Sequence, residues 1–183
     1  MIASGHIQAE RRTVRASTRL ARARRTMVFV LASMLAGLLT LQLVYALTPY
    51  RLWFNAVSSS LPGLVYLIEL GSLPTQRGDA ITFVPPPNRF YPPGLKFTKL
   101  ALGLPGDVIA RDSTNRWVYV NGEKVGELQT TSSLGELLPG PVGVVPPEQY
   151  WVWTPHPLSL DSRYADIGYI PRARVLGRAV RLF

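Results

Sequence analysis

The chain has 183 residues, a formal net charge of +9, no cysteine and two histidines. That length suffices for one domain with its own core. The lack of cysteine excludes a thiol nucleophile, a disulfide framework and a thiolate zinc site, and His6 and His156 offer no His/Glu metal spacing, so neither metal nor cofactor is expected.

The charge is unevenly placed. Residues 1–26 hold seven arginines against the single acid Glu10, whereas residues 48–183 hold thirteen basic and ten acidic side chains. The basicity therefore belongs mostly to a tail, and no nucleic acid is expected as a partner. Met27–Leu47 follows, within a stretch that is free of charge between Arg25 and Arg51. As a helix, such a run rises about 32 Å, enough to cross a hydrocarbon core of about 30 Å. Arginines on its N-terminal side predict that this end is cytoplasmic and that everything after Leu47 lies outside. The competing reading is a cleaved signal peptide with Val44-Tyr45-Ala46 as its small-x-small site. The apolar run exceeds the ~7–15 residues of a signal sequence, which favours a retained anchor.

Beyond the anchor the pattern is β-rich. Leu64–Leu70 and Asp79–Val84 read as strands, the second stopped by Pro85-Pro86-Pro87. Trp117–Val120 and Glu123–Val125 flank Asn121-Gly122, a dipeptide suited to a type I′ hairpin turn. Tyr150–Trp153 and Val175–Leu182 read as two further strands, and about 126–147 reads as loop. The expected organisation is a basic cytoplasmic tail (1–26), a transmembrane anchor (27–47) and an exported domain (48–183) with a mainly β, coiled or barrel-like sheet.

Two segments carry the chemistry. Lys99 opens an apolar strand-like run that ends in Gly103-Leu104-Pro105-Gly106-Asp107, which is turn chemistry. A lysine in such a run must lose its charge or find a partner. A neutral lysine can take a proton from a serine, and Ser58-Ser59-Ser60-Leu61-Pro62 supplies serines in a loop-like setting. Lys96 and Lys99 differ by three residues and so face opposite sides of a strand, which lets Lys96 be an ordinary surface lysine. His156 lies between Pro155 and Pro157 in an apparent turn and reads as a loop residue rather than as the base; Asp161 lies nearby in sequence.

An apolar anchor, Ser60-Leu61-Pro62, the Lys99-to-Asp107 box and Ser159-Leu160-Asp161-Ser162-Arg163-Tyr164 occur in that order. Together they resemble the type I signal peptidases (family S26), most closely the TraF-type conjugative-transfer signal peptidases. The resemblance implies that Ser60 is the nucleophile and Lys99, four residues before the first glycine of its box, the general base. It further implies that Ser159 orients the lysine, that Asp161 and Arg163 form a structural brace, and that Ser58 donates to the oxyanion. General signal peptidases place the proline one residue later, a spacing under which Ser59 becomes the nucleophile. The usual Gly-Asp-Asn is replaced here by Thr154-Pro155-His156-Pro157-Leu158, and only 39 positions separate Ser60 from Lys99. These departures point to a dedicated substrate such as an exported pilin-like precursor, cut at the outer surface of the cytoplasmic (inner) membrane by hydrolysis or with cyclisation. The implied partners are that precursor and the lipid bilayer. The alternative from another class is a non-enzymatic, membrane-anchored component of a secretion or mating-pair apparatus, which leaves Lys99 and the Asp-Ser-Arg box unexplained.

Overall fold

The computed structural model describes residues 3–54, 60–132 and 135–183, with side chains of the first helix from residue 22 onward. The chain divides into two compact units, Met1–Thr48 and Pro49–Phe183. The first is one helix, α1 (Ala3–Leu47). Its segment Arg22–Leu47 is long and apolar enough to cross a membrane, and none of its apolar window is buried against protein. Two hydroxyls within it are satisfied internally: Thr26 Oγ1 donates to Arg22 O at 3.1 Å and Thr40 Oγ1 to Ala36 O at 2.9 Å. Such pairing back to the preceding turn leaves neither hydroxyl donor free on the helix surface. The helix runs through the arginine-rich residues without a break at 26, so tail and anchor share one element.

The second unit is built from strands. In chain order these are β1 (Tyr50–Phe54), β2 (Val65–Leu70), β3 (Asp79–Phe83), β4 (Phe97–Gly103), β5 (Val108–Arg111), β6 (Trp117–Val120), β7 (Glu123–Glu127), β8 (Thr131–Ser132), β9 (Gly135–Glu136), β10 (Gly143–Val144), β11 (Gln149–Trp153), β12 (Ile170–Pro171) and β13 (Val175–Arg181). Seven of them form the large sheet, ordered β1-β2-β13-β3-β4-β11-β12; a four-stranded sheet runs β10-β5-β6-β7, and β8 pairs with β9. Every paired strand is antiparallel. The expected mainly β domain is what the structure contains.

The strands anticipated from sequence are present, and the Asn121-Gly122 turn has positive φ at both residues (50° and 84°), as a type I′ turn requires. The expected loop between 126 and 147 is mostly irregular but contributes the short strands β8, β9 and β10. Strands β1, β5 and β12 were not anticipated.

Strand β4 lies near the centre of the large sheet, and both of its faces are covered. Ile81 is paired with Lys99 and Phe83 with Phe97 on one side of the pleat, Ala80 with Leu100 and Thr82 with Thr98 on the other. The first side joins the main core, where Ile81, Phe83, Ala101, Ile109, Trp151 and Val152 are buried. On the second, Leu100 packs against a smaller core of Leu61, Tyr66, Ile68 and Ala179.

After β4 the chain turns through Leu104–Asp107. Asp107 accepts from Leu104 N at 2.7 Å, from Asn121 Nδ2 at 2.9 Å and from Arg77 Nε at 2.8 Å; Arg77 Nη2 donates to its second oxygen. One buried carboxylate thus ties the end of β4 to the β6–β7 turn and to the segment before β3. Arg77 and these donors hold the Asp107 carboxyl well below the usual carboxylate range. A depressed pKa stabilises the fold above the unfolded value near ~4 and is lost as pH falls. Asp107→Asn should therefore lower stability by about 1–3 kcal/mol at neutral pH. The gap from wild type should narrow on acidification below about pH 4, as read by urea unfolding across a pH series.

Candidate active site

Lys99 enters the main core from β4 and is only 5% exposed. Its Nζ donates to Ser159 Oγ at 2.5 Å and lies 5.5 Å from the centre of the Phe97 ring. Phe97 is in turn met edge-on by Tyr91 at 5.2 Å and by Phe83 at 6.1 Å, which walls the ammonium with aromatic surface. Burial is the dominant influence and lowers the lysine pKa from 10.5 to about 8; the nearby Asp161 carboxylate opposes this and the Arg163 guanidinium adds to it. Lys96 is exposed and rests near the Trp53 ring at 5.7 Å, so the two lysines part company as their spacing predicted.

Ser159, Asp161 and Arg163 follow strand β11 in a tight turn. All three are buried, Asp161 completely. Arg163 meets Asp161 in a bidentate pair, Nε to Oδ1 and Nη2 to Oδ2, each at 2.9 Å. Its remaining donors reach backbone carbonyls: Nη1 to Glu127 O at 2.9 Å, Nη2 to His156 O at 3.1 Å and, more loosely, to Ser159 O at 3.4 Å. Asp161 Oδ2 accepts from Thr154 N at 3.3 Å, and Asp161 Oδ1 accepts from Arg163 N at 3.2 Å. The guanidinium keeps its proton despite burial because the paired carboxylate holds it, and its pKa is raised. Asp161 and Arg163 therefore form a satisfied ion pair within reach of the lysine's field.

Ser60 is half-buried and opens the segment Ser60–Pro62. Leu61 anchors that segment in the small core against which Leu100, the residue after Lys99, also packs. A cleft of about 570 Å³ is lined by Leu61 and Pro62, by Tyr66, Ala80 and Leu100, and by Pro155 from the loop that leads to Ser159. Lys99, Ser159, Asp161 and Arg163 are assembled in one place, and the serine segment borders a cleft lined by Ala80 and Leu100, on the side of the β4 pleat opposite Lys99. Ser58 and Ser59 lie outside the described residues. No group of acids and histidines able to hold a metal occurs among the described residues.

Sequence reasoning missed the backbone acceptors of Arg163. Carbonyl groups carry no side-chain signature, so nothing marked Glu127 or His156 as partners. His156 itself is half-buried, and its Nδ1 accepts from Leu158 N at 3.2 Å rather than from a serine hydroxyl. A half-buried loop position is what its proline neighbours suggested.

The site thus holds a buried lysine of lowered pKa, hydrogen-bonded to Ser159 and set beside a buried Asp161–Arg163 ion pair. The chain belongs to the signal peptidase family, peptidase S26, whose family profile matches residues 23–183. Among solved structures it is similar to a signal peptidase I from Enterococcus faecalis V583, with 27% identity, covering 59% of this chain and 98% of that one at a TM-score of 0.38. No curated protein matches the chain. Family membership makes it a serine peptidase acting on precursor proteins, and its apolar N-terminal helix fits a membrane-anchored member.

The ion pair makes a separable prediction. Removing one partner of a buried pair strands the other charge and costs about 3–5 kcal/mol. Asp161→Ala and Arg163→Ala should each melt well below wild type and lose activity. Ser159→Ala should lose activity with its melting point nearly kept. Thermal melts with cleavage assayed on the same preparations check both; wild-type behaviour of the two charge variants would remove the brace.

Proposed function

We propose that the protein is a membrane-anchored endopeptidase with Ser60 as nucleophile and Lys99 as general base. The observation that carries this reading is the desolvated Lys99 amine, lowered to about 8 and hydrogen-bonded to Ser159. At an ordinary pKa about one lysine in three thousand is neutral at pH 7; at about 8 it is about one in ten. Neutral Lys99 Nζ takes the Ser60 hydroxyl proton as Oγ bonds to the scissile carbonyl carbon. The resulting ammonium returns that proton to the leaving amine as the C–N bond breaks, leaving an acyl ester on Ser60. Lys99 then deprotonates water, which attacks the ester and restores the serine. In the cyclising variant a substrate amine replaces the water. Ser58 is the proposed side-chain donor to the oxyanion, a contribution worth about 10²–10³ in rate. Ser159 fixes the lysine amine, and Asp161 with Arg163 holds the turn that carries Ser159.

The proposed substrate is an exported, pilin-like precursor handled by a TraF-type enzyme. The support is the replacement of Gly-Asp-Asn by Thr154–Leu158 and the short Ser60–Lys99 interval. The arginines before the apolar run support a cytoplasmic N-terminus and a catalytic domain on the outer face of the inner membrane. An enzyme reporter active only outside the cytoplasm, fused after Phe183, should be active; activity confined to a cytoplasmic reporter would reverse this topology.

Lys99 is tested by activity and stability together. Lys99→Ala and Lys99→Arg should both abolish cleavage, because guanidinium keeps its proton at working pH, while Lys96→Ala should be mild. For the wild type, kcat/KM should rise about tenfold per pH unit and level off near pH 8. The lowered pKa also fixes the sign of the stability effect. The ammonium destabilises the fold fully below about pH 8, and the penalty fades as pH approaches 10.5. Lys99→Met should therefore be inactive yet more stable than wild type at pH 7, by up to about 3 kcal/mol. That advantage should disappear in melts above pH 10.5. An active Lys99→Ala enzyme would end the Ser/Lys assignment.

A further inference from the structure

The segment between β11 and Ser159 contains a turn that the chemistry above leaves without a role. His156 stands between two prolines, which fix φ on either side of it. Its side chain accepts from the backbone N–H two residues on, Leu158 N to Nδ1 at 3.2 Å. Its carbonyl accepts from Ser159 N at 3.2 Å, closing a four-residue turn, and from Arg163 Nη2 at 3.1 Å. Pro155, Pro157 and Leu158 are exposed, with Leu158 at 69%, whereas Ser159 is 4% exposed. An exposed turn of this kind has little packing to hold it. Its shape rests on these hydrogen bonds and on the prolines. Ser159, the last residue of the turn, is the one that meets Lys99 Nζ at 2.5 Å.

We propose that His156 is a positioning residue for the general base: its imidazole and carbonyl lock the turn that presents the Ser159 hydroxyl to Lys99. This rests on the Ser60/Lys99 reading. The residue itself touches neither the reacting serine nor substrate in this role. What the turn requires from position 156 is a side-chain acceptor reaching the N–H two residues on. Asparagine supplies one through Oδ1 in an Asx-turn. Leucine has similar bulk and no acceptor. Glutamine has an acceptor, but one carbon too far out to close the same ring.

The test compares full-length wild type with His156→Asn, His156→Leu and His156→Gln in detergent micelles, each assayed below its own melting temperature. The substrate is an exported pilin-like precursor that the wild-type enzyme cleaves, and Lys99→Ala is the control. Asparagine should keep kcat within about threefold, whereas leucine and glutamine should lower kcat about tenfold with KM nearly unchanged, the rate equivalent of one hydrogen bond. In the leucine variant the acid limb of the pH profile should also move to higher pH, because a lysine amine released from Ser159 regains water. If the leucine variant does not fold, glutamine against asparagine carries the same comparison. Wild-type kcat and an unmoved acid limb in the leucine and glutamine variants, or an equal loss in asparagine and leucine, overturns the positioning role while leaving the dyad standing. Activity in Lys99→Ala overturns both.

Discussion

Three ionisable side chains share one buried pocket, and the rest of the site depends on how their charges are divided. Lys99, Asp161 and Arg163 are all at least 95% buried. An isolated charge in such a place costs several kcal/mol, so an unpaired lysine would shed its proton and an unpaired aspartate would take one up. Arg163 settles the matter by engaging both oxygens of Asp161. Its guanidinium satisfies the carboxylate and also keeps that carboxylate from capturing the lysine as an ion-pair partner. Asp161 raises the lysine pKa and Arg163 lowers it, so their opposed fields partly cancel at the amine, and burial decides the outcome. Without the arginine, the aspartate would pull Lys99 back toward its charged form. The brace is therefore electrostatic as well as mechanical.

The pair is fully satisfied because its outer donors are aimed at backbone. Beyond the two N–H groups engaged by Asp161, Arg163 donates to the carbonyls of Glu127 and His156, which lie far apart in sequence and both precede the turn. This binds the end of β7, the loop after β11 and the Asp161–Tyr164 turn to a single guanidinium. A lysine at 163 could not do this, since it lacks the planar fork. A hydrophobic replacement of a buried ion pair is often no less stable, but it could not tie these backbone segments together as this guanidinium does.

Much of this was legible in the sequence, for reasons that differ by element. The Asn121-Gly122 turn was readable because only certain residues tolerate positive φ at two consecutive positions. The Gly103–Asp107 turn was readable because a short acidic side chain accepts from its own backbone, as Asp107 does from Leu104 N. Lys99 stood out because a lysine in an apolar strand must be explained. Strand β1 was not readable: Tyr50–Phe54 follows the anchor directly, and its apolar residues merge with the anchor's run. The two-residue strands β8, β9 and β10 are too short to show a period of two. The acceptors of Arg163 were invisible because they are carbonyls, which every residue has.

The placement of Lys99 finally depends on register. A slip of one residue in β4 would send Lys99 to the small core and Leu100 to the polar pocket, reversing both environments. Two features downstream forbid it. Gly103 faces Trp151, and a Cβ added there would stand 2.8 Å from Trp151 Cβ and 3.1 Å from Ile109 Cδ1, so only glycine passes at that point. Moving Leu102 or Leu104 into that position would force the sheet and the main core apart. Four residues further on, Asp107 is held by Arg77, Asn121 and the Leu104 N–H, which fixes where the strand must end. With β4 stopped at one end by a turn and seated at Gly103 by a tryptophan, Lys99 has one pleat position available, and it is the one that faces Ser159.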